Sequence, residues 1–216
     1  MGIIKQEYKN EYENRVKEIC GAFITAYYDC FYLTSIEERK NSYVKERSNS
    51  NFYRCAIEFF YSIVNALQKE EILILCVLED PKPAANSLRN LKSALRNHYV
   101  EDFNVIKNYV KKLPSKNKPQ CIGDARNKVI AHIELKKELA EVPMIEVKQR
   151  LDMLRRCYNS YLFDGAVKYL ISNDKVKDIQ EESRLGVNLL FSGQMDEYYT
   201  GSSMVTKKFV GENNGK

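Results

Sequence analysis

The sequence is poor in the residues that build several common kinds of site. It has two histidines, His98 and His132, and no tryptophan among its 216 residues. Its six cysteines are scattered, and none of them forms a CxxC pair. With so few candidate ligands, we expect no zinc site of the common His/Cys kinds. Any catalysis is expected to be metal-free or to use a weakly held ion, and we expect no cofactor.

Long apolar runs are missing too. The run ILILCVL at 72–78 is bounded by Glu71 and Glu79 and is far too short to span a bilayer. The N-terminus, MGIIKQEYKNEYE, lacks the basic start, apolar middle and small-residue cleavage site of a signal peptide. We therefore expect a cytoplasmic protein with no membrane association, whose cysteines are reduced and mostly buried.

Motifs of two large enzyme classes are also absent. The chain contains no glycine-rich phosphate loop, no GKS or GKT sequence and no GxSxG sequence. The first two mark P-loop nucleotide-binding proteins, and the third marks the nucleophile turn of many hydrolases. Neither class is expected here.

The apolar residues that are present recur with a helical period. A chain of 216 residues with 44% hydrophobic and 29% charged residues is typical of one globular domain. Steps of three and four predict a first helix over about 5–33. Its apolar face is formed by Tyr8, Tyr12, Val16, Ile19, Phe23, Tyr27 and Cys30. A helix over about 52–79 is apolar on more than one face, which predicts a central element.

Five further helices and two loops complete the predicted organisation. Polar residues predict a loop, or a short helix and then a loop, over 35–51, and prolines predict another loop over 114–124. Asp124 is a candidate cap for the helix that follows the second loop. The helices are predicted over about 86–97, 101–113, 124–139, 143–172 and 177–192. The fold class is all-α: an antiparallel helical bundle, a single domain over 1–192, with an irregular tail over 193–216.

Positive charge is concentrated in one part of the chain. The formal net charge is +5, but 103–133 holds seven basic residues and one acid, Asp124. Including Glu101, Asp102 and Glu134 reduces the excess of basic residues to three. Both a solvated loop with its flanking helices and a binding surface are compatible with this charge pattern.

One histidine lies in the stretch ARNKVIAH at 125–132. An arginine followed by a histidine after four to six residues is expected by chance about 0.3 times in such a chain, so the spacing alone is weak. On spacing alone, a surface arginine and an ordinary helix histidine are the favoured interpretation. On a helix starting after Asp124, Arg126 lies in the anion-favouring first turn. Arg126 and His132 would be about 120° and 9 Å apart, so two copies across a two-fold axis would form a compact site more easily.

The stretch ARNKVIAH resembles the signature of HEPN domains, in which an arginine precedes a histidine by four to six residues within a small helical bundle. Asn127 fits the polar residue that commonly follows the arginine. The pattern RNK-x-x-AH is similar to that of the abortive-infection, AbiU-like branch. The stretch LEDPKPAANSLRNLKSAL at 78–95 is similar to the same branch, where a long second helix ends in an acidic residue and a proline. The resemblance covers about residues 8–172.

The resemblance implies a metal-independent endoribonuclease of a bacterial defence or toxin system, working as a homodimer with both signatures facing one cleft. Its catalytic residues would be Arg126, Asn127 and His132. Lys112, Lys116, Lys118 and Lys128 would contact RNA. An antitoxin or defence-system protein is a possible further partner. Some HEPN toxins are modified on a tyrosine two positions after the histidine, where this chain has Glu134, so that regulation is not expected.

Two other interpretations remain open. One is a non-catalytic HEPN-like module that dimerises and binds nucleic acid or a protein partner. The other is a helical structural protein without a site. Of the remaining polar and aromatic residues, His98 is predicted to be a surface or helix-end histidine. Tyr99 and Tyr109 could stack on bases near the basic loop, although packing is the general expectation for the aromatic residues.

Overall fold

The computed structural model describes most of the chain outside the signature. The described residues are 2–46, 51–82, 85–114 and 143–192. Side chains are described for 2–39, 61–82, 85–114 and 143–190. The helix predicted over 124–139 and the tail predicted over 193–216 lie outside these residues.

The described residues are helical, with short turns between the helices. They contain no strand, and one isolated β-bridge joins Ile4 to Val100. The predicted all-α class is therefore confirmed. The helices are α1 (Lys9–Glu46), α2 (Asn51–Leu78), α3 (Leu88–Ala94), α4 (Met144–Asn159) and α5 (Asn173–Ser192). The shorter elements are 3₁₀ turns at Gln6–Tyr8, Phe103–Val105 and Asp164–Tyr169 and a π-helical turn at Leu95–Tyr99.

Helix α1 is the centre of the bundle and packs against α2, α4 and α5. The apolar face predicted for this helix is confirmed. Its fully buried members are Tyr12, Val16, Ile19, Phe23, Tyr27 and Cys30. Because these side chains recur every three or four residues, one face of α1 meets the core along several turns.

Hydrogen bonds from α1 show how its neighbours are oriented. Tyr12 Oη donates to the Tyr161 carbonyl oxygen at 2.8 Å, whereas Tyr27, further along α1, donates to Asp152 at 2.6 Å. Helix α4 is therefore antiparallel to α1, as predicted. Tyr28 donates to Glu182, and Arg39, later in α1, donates to Asn188. Helix α5 therefore runs parallel to α1.

Over 61–78, where its side chains are described, helix α2 is not the central element that its apolar sequence predicts. One of its faces is buried, but Tyr61, Leu73 and Val77 are 51%, 40% and 48% exposed. The prediction was wrong because composition cannot show which helix has neighbours on most sides, and here that helix is α1.

The helix predicted over 101–113 is also not formed. A 3₁₀ turn at Phe103–Val105 is capped by the Asp102 carboxylate, which accepts from Asn104 N at 2.9 Å, and turns follow it. Ile106 and Val110 are buried, so the apolar spacing was correctly recognised. Asparagines at 104 and 108 and the valines at 105 and 110 favour a helix only weakly, and this segment is held by tertiary contacts instead.

Two predicted helix ends differ from the structure. Helix α1 continues through the predicted loop to Glu46, and α4 ends at Asn159 rather than at residue 172. After α4, Asp164 has a φ of 49°, a left-handed conformation that aspartate tolerates better than most residues. Its carboxylate accepts from the main-chain N–H groups of Ile3 and Ile4 at 3.0 and 2.8 Å. This contact with the N-terminus is absent from any local sequence pattern.

Candidate functional site

Most residues of the predicted site lie outside the described part of the chain. These are Arg126, Asn127 and His132 of the signature, with Lys116, Lys118 and Lys128. The exception is Lys112, which is exposed and whose carbonyl oxygen accepts from the Cys157 thiol at 3.4 Å. The structure therefore describes the residues that precede and follow 115–142, but not the signature itself.

The chain enters that segment at a firmly held position. Lys111 N donates to Ser160 Oγ at 2.9 Å, and Tyr161 Oη donates to the Lys111 carbonyl oxygen at 2.9 Å. Both partners lie just after the C-terminal end of α4. The described chain resumes at Pro143, the residue that precedes the first turn of α4. The two sides of the segment are thus at opposite ends of α4, a helix of 16 residues or about 24 Å.

Helix α4 is joined to α2 by a buried ion pair. Arg150 Nε lies 3.4 Å from Glu79 Oε2, and its Nη2 donates to Oε1 of the same carboxylate. Both side chains are 6% exposed. Burying two charges this deeply costs free energy, and their mutual attraction offsets part of that cost. Glu79 is one of the two acidic residues of the LEDP sequence, and the structure assigns it a packing role.

The rest of the LEDP…SLRNL stretch forms a tight connection between α2 and α3. Ser87 Oγ donates to the Asp80 carbonyl oxygen at 2.6 Å and accepts from Asn90 N at 3.2 Å, which caps α3. Asp80 Oδ1 accepts from Lys82 N at 2.9 Å. The leucines at 88, 91 and 95 are buried in the core. This stretch therefore positions α3 and α4 rather than supplying a reactive group.

A second buried polar group lies between α1 and α2. Asp29 and Glu71 are 5% and 1% exposed, and one carboxyl oxygen of each has no hydrogen-bond partner. Burial and the nearby Asp29 carboxyl raise the pKa of Glu71 to about 8, and burial and Glu70 raise the pKa of Asp29 to about 6. Glu71 is therefore largely protonated at neutral pH. A carboxyl with such a pKa suits acid–base chemistry, but a 1% exposed side chain is inaccessible to a substrate.

We expect Glu71→Gln to stabilise the protein at neutral pH. The folded-state pKa of Glu71 is raised from 4.5 to about 8. Folding therefore takes up a proton, and the unfolding free energy falls as the pH rises from about 4.5 to 8. Glutamine needs no proton, so the variant should gain about 2–3 kcal/mol at pH 7 and less than about 1 kcal/mol at pH 5. Urea unfolding at both pH values measures this.

The exposed neighbour Glu70 offers a matched control. Glu70→Gln makes the same substitution one position away, on an exposed side chain, and should change the unfolding free energy by less than about 0.5 kcal/mol at either pH. A Glu71→Gln variant that is less stable than the wild type at pH 7 would contradict a neutral, buried Glu71.

Three buried cysteines are poorly suited to nucleophilic chemistry. Burial raises the pKa of the Cys20, Cys30 and Cys157 thiols above the ordinary value of 9.0. These thiols stay protonated near neutral pH, and the thiolate is the reactive form. The prediction that most cysteines are buried is confirmed for the four whose side chains are described, Cys20, Cys30, Cys76 and Cys157.

The other histidine and the two tyrosines are also located. His98 is exposed in the π-helical turn, as predicted. Tyr99 is 1% exposed and packs edge-on against Tyr12, so it cannot stack on a base. Tyr109 is 71% exposed. No helix in the described part of the chain is long and apolar enough to cross a membrane.

A model of the HEPN AbiU2 family, described as AbiU2, matches residues 9–184. The chain belongs to this family. The match begins with α1, includes the signature Arg126–His132 and extends through much of α5, further than the resemblance over 8–172 predicted. Comparison with curated proteins and with solved structures gave no match. Membership in this HEPN family relates the domain to abortive infection, and the family's helical fold agrees with the described helices.

Proposed function

We propose that this HEPN AbiU2 domain is a metal-independent endoribonuclease of a bacterial defence or toxin system. The observation that carries the proposal is the family match over 9–184, which includes Arg126, Asn127 and His132 at the spacing of the HEPN signature. Cysteine chemistry is disfavoured at the three buried thiols with raised pKa, and Glu71 is inaccessible. Within the described residues these groups do not compete with the signature, whose histidine and arginine are suited to RNA cleavage.

The proposed reaction uses the RNA's own 2′-OH. The 2′ oxygen loses its proton to a base and attacks the adjacent phosphorus, the bond from phosphorus to the 5′ oxygen breaks, and an acid protonates the leaving oxygen. His132 can serve as acid or base near neutral pH. Arg126 stays charged, and its planar fork of N–H donors matches the phosphorane oxygens. Asn127 would orient the phosphate or the 2′-OH.

A homodimer completes the proposed site. The single signature histidine of one chain cannot be acid and base in the same step. Two copies across a two-fold axis bring two signature histidines to one cleft. RNA is the proposed substrate, and Lys112, Lys116, Lys118 and Lys128 are the proposed contacts to its backbone. The exposed position of Lys112 at the start of the segment is compatible with this role.

The proposal is tested by incubating the purified protein with total RNA in EDTA. We expect cleavage without added metal, and 5′ fragments that end in a 2′,3′-cyclic phosphate. Fragments ending in a 3′-OH would contradict attack by the 2′-OH. RNA that is bound but never cut would favour the alternative, a non-catalytic HEPN module. Light scattering on the same sample tests the dimer, and cleavage by a stable monomer would exclude the two-copy site.

A further inference from the structure

One corner of the bundle carries positive charge that is not neutralised. Residues 86–100 and 103–114 contain no aspartate or glutamate. Across the described residues, no ion pair involves a cation of these two stretches, whereas Lys148, Arg150 and Lys168 all have acidic partners. We name this surface the basic corner and define it as Arg89, Lys92, Arg96, Tyr109, Lys111 and Lys112.

The cations of the basic corner come from two segments that lie side by side. Arg89, Lys92 and Arg96 follow one another at steps of three and four, which places them along one helix face over about 10 Å. Lys92 Nζ lies 3.5 Å from the Lys111 carbonyl oxygen, so the second segment adjoins that face. Lys111 is itself held by Ser160 and Tyr161. The positive charges therefore belong to a positioned surface rather than to a free loop.

An exposed aromatic ring accompanies these charges. Tyr109, two residues before Lys111, is 71% exposed, the highest value among the large apolar and aromatic side chains of the described part. An aromatic side chain beside cations is the combination that binds single-stranded nucleic acid, because bases stack on the ring while cations hold the phosphates. A double-stranded helix keeps its bases stacked on one another and gains nothing from the ring.

We propose that the basic corner binds the backbone of single-stranded RNA, with Tyr109 stacking on one base. The surface ends at Pro114, the last described residue before the segment that contains the signature. The identification of the polymer as RNA rests on the proposed ribonuclease function. The charge and the exposed ring do not depend on it.

Binding is measured with a 2′-O-methylated single-stranded RNA oligonucleotide, which lacks the attacking hydroxyl and stays intact. The corner variant removes three positive charges through the substitutions Arg89→Gln, Arg96→Gln and Lys111→Gln. It should bind the oligonucleotide at least about tenfold more weakly. The plot of the logarithm of the association constant against the logarithm of the salt concentration should become shallower by about 2. A control variant removes three exposed charges from α1 and α5 and should bind like the wild type. Its substitutions are Lys17→Gln, Lys175→Gln and Arg184→Gln. Tyr109→Ala should weaken binding about tenfold, and Tyr109→Phe should not.

Equal binding by the corner variant and its control would overturn the proposal, and so would a wild type that does not bind the oligonucleotide. The two proposals fail in different ways. If the corner variant cleaves unmodified RNA as fast as the wild type, the ribonuclease proposal still stands and the RNA-binding role of this surface is excluded. Corner-dependent binding without any cleavage in EDTA would support the surface and exclude the ribonuclease. Thermal unfolding of each variant shows that its fold is intact.

Discussion

His132→Ala is expected to lower the rate of RNA cleavage by about a hundredfold to ten-thousandfold, the usual range for losing a general acid or base. Arg126→Ala should lose about a hundredfold or more, because the phosphorane loses a fixed cation. Single-turnover cleavage of a labelled RNA in EDTA measures both rates. In cells, the same substitutions should abolish growth arrest caused by the wild-type protein.

The chain offers a matched control for each substitution. His98 is the other histidine and is exposed in the π-helical turn, so His98→Ala should cleave like the wild type. Arg184 is exposed on α5, far along the chain from the signature, and Arg184→Ala should also be active. If His132→Ala cleaves as fast as His98→Ala, the signature histidine is not catalytic.

Arg150→Met should destabilise the protein by about 3–5 kcal/mol, because it removes the buried guanidinium that pairs with the buried Glu79 carboxylate. For a chain of this size the loss corresponds to a fall of about 10 °C in the unfolding midpoint. Urea denaturation measures the free energy directly. A loss of this size would also loosen α4 from α2 and with it the framework at both ends of 115–142.

Two further variants separate the buried pair from other causes of instability. Combining Arg150→Met with Glu79→Gln also removes the buried negative charge and should recover a large part of the loss. Lys168→Ala breaks an ion pair to Glu13 in which the lysine is 57% exposed, and it should cost far less than Arg150→Met. If Arg150→Met costs no more than Lys168→Ala, the buried pair does not hold the two helices.

The spacing of apolar residues predicted the structure correctly where one face of a helix packs against the core. The α1 face from Tyr12 to Cys30 and the α4 face at Val147, Leu151 and Leu154 were both predicted and are buried. It failed at 101–113 and after Asn159, because side chains distant in sequence hold those segments. Ser160 and Tyr161 bind Lys111, and the Asp164 carboxylate binds the N-terminus. A residue-by-residue pattern contains no record of such partners.

For the candidate site, the sequence and the structure contributed different information. The signature was recognised from the residues at 125–132 together with the stretch at 78–95, and the family match covers both. Its catalytic roles stay a prediction, because Arg126, Asn127 and His132 lie outside the described residues. LEDP…SLRNL was recognised as a family feature, but only the structure shows its physical role. Glu79 pairs with Arg150 inside the core, and Ser87 caps α3.

The sequence by itself determined the helical class, the buried face of α1 and the family to which the chain belongs. Each depends on residue types at short, regular spacings, which local geometry converts directly into a helix or a signature. Only the tertiary structure decided that α1 is the central helix and that Glu71 is a buried, largely neutral carboxyl. It also showed that the cations of the basic corner form no ion pair among the described residues. Burial and charge pairing depend on which distant segments meet in space.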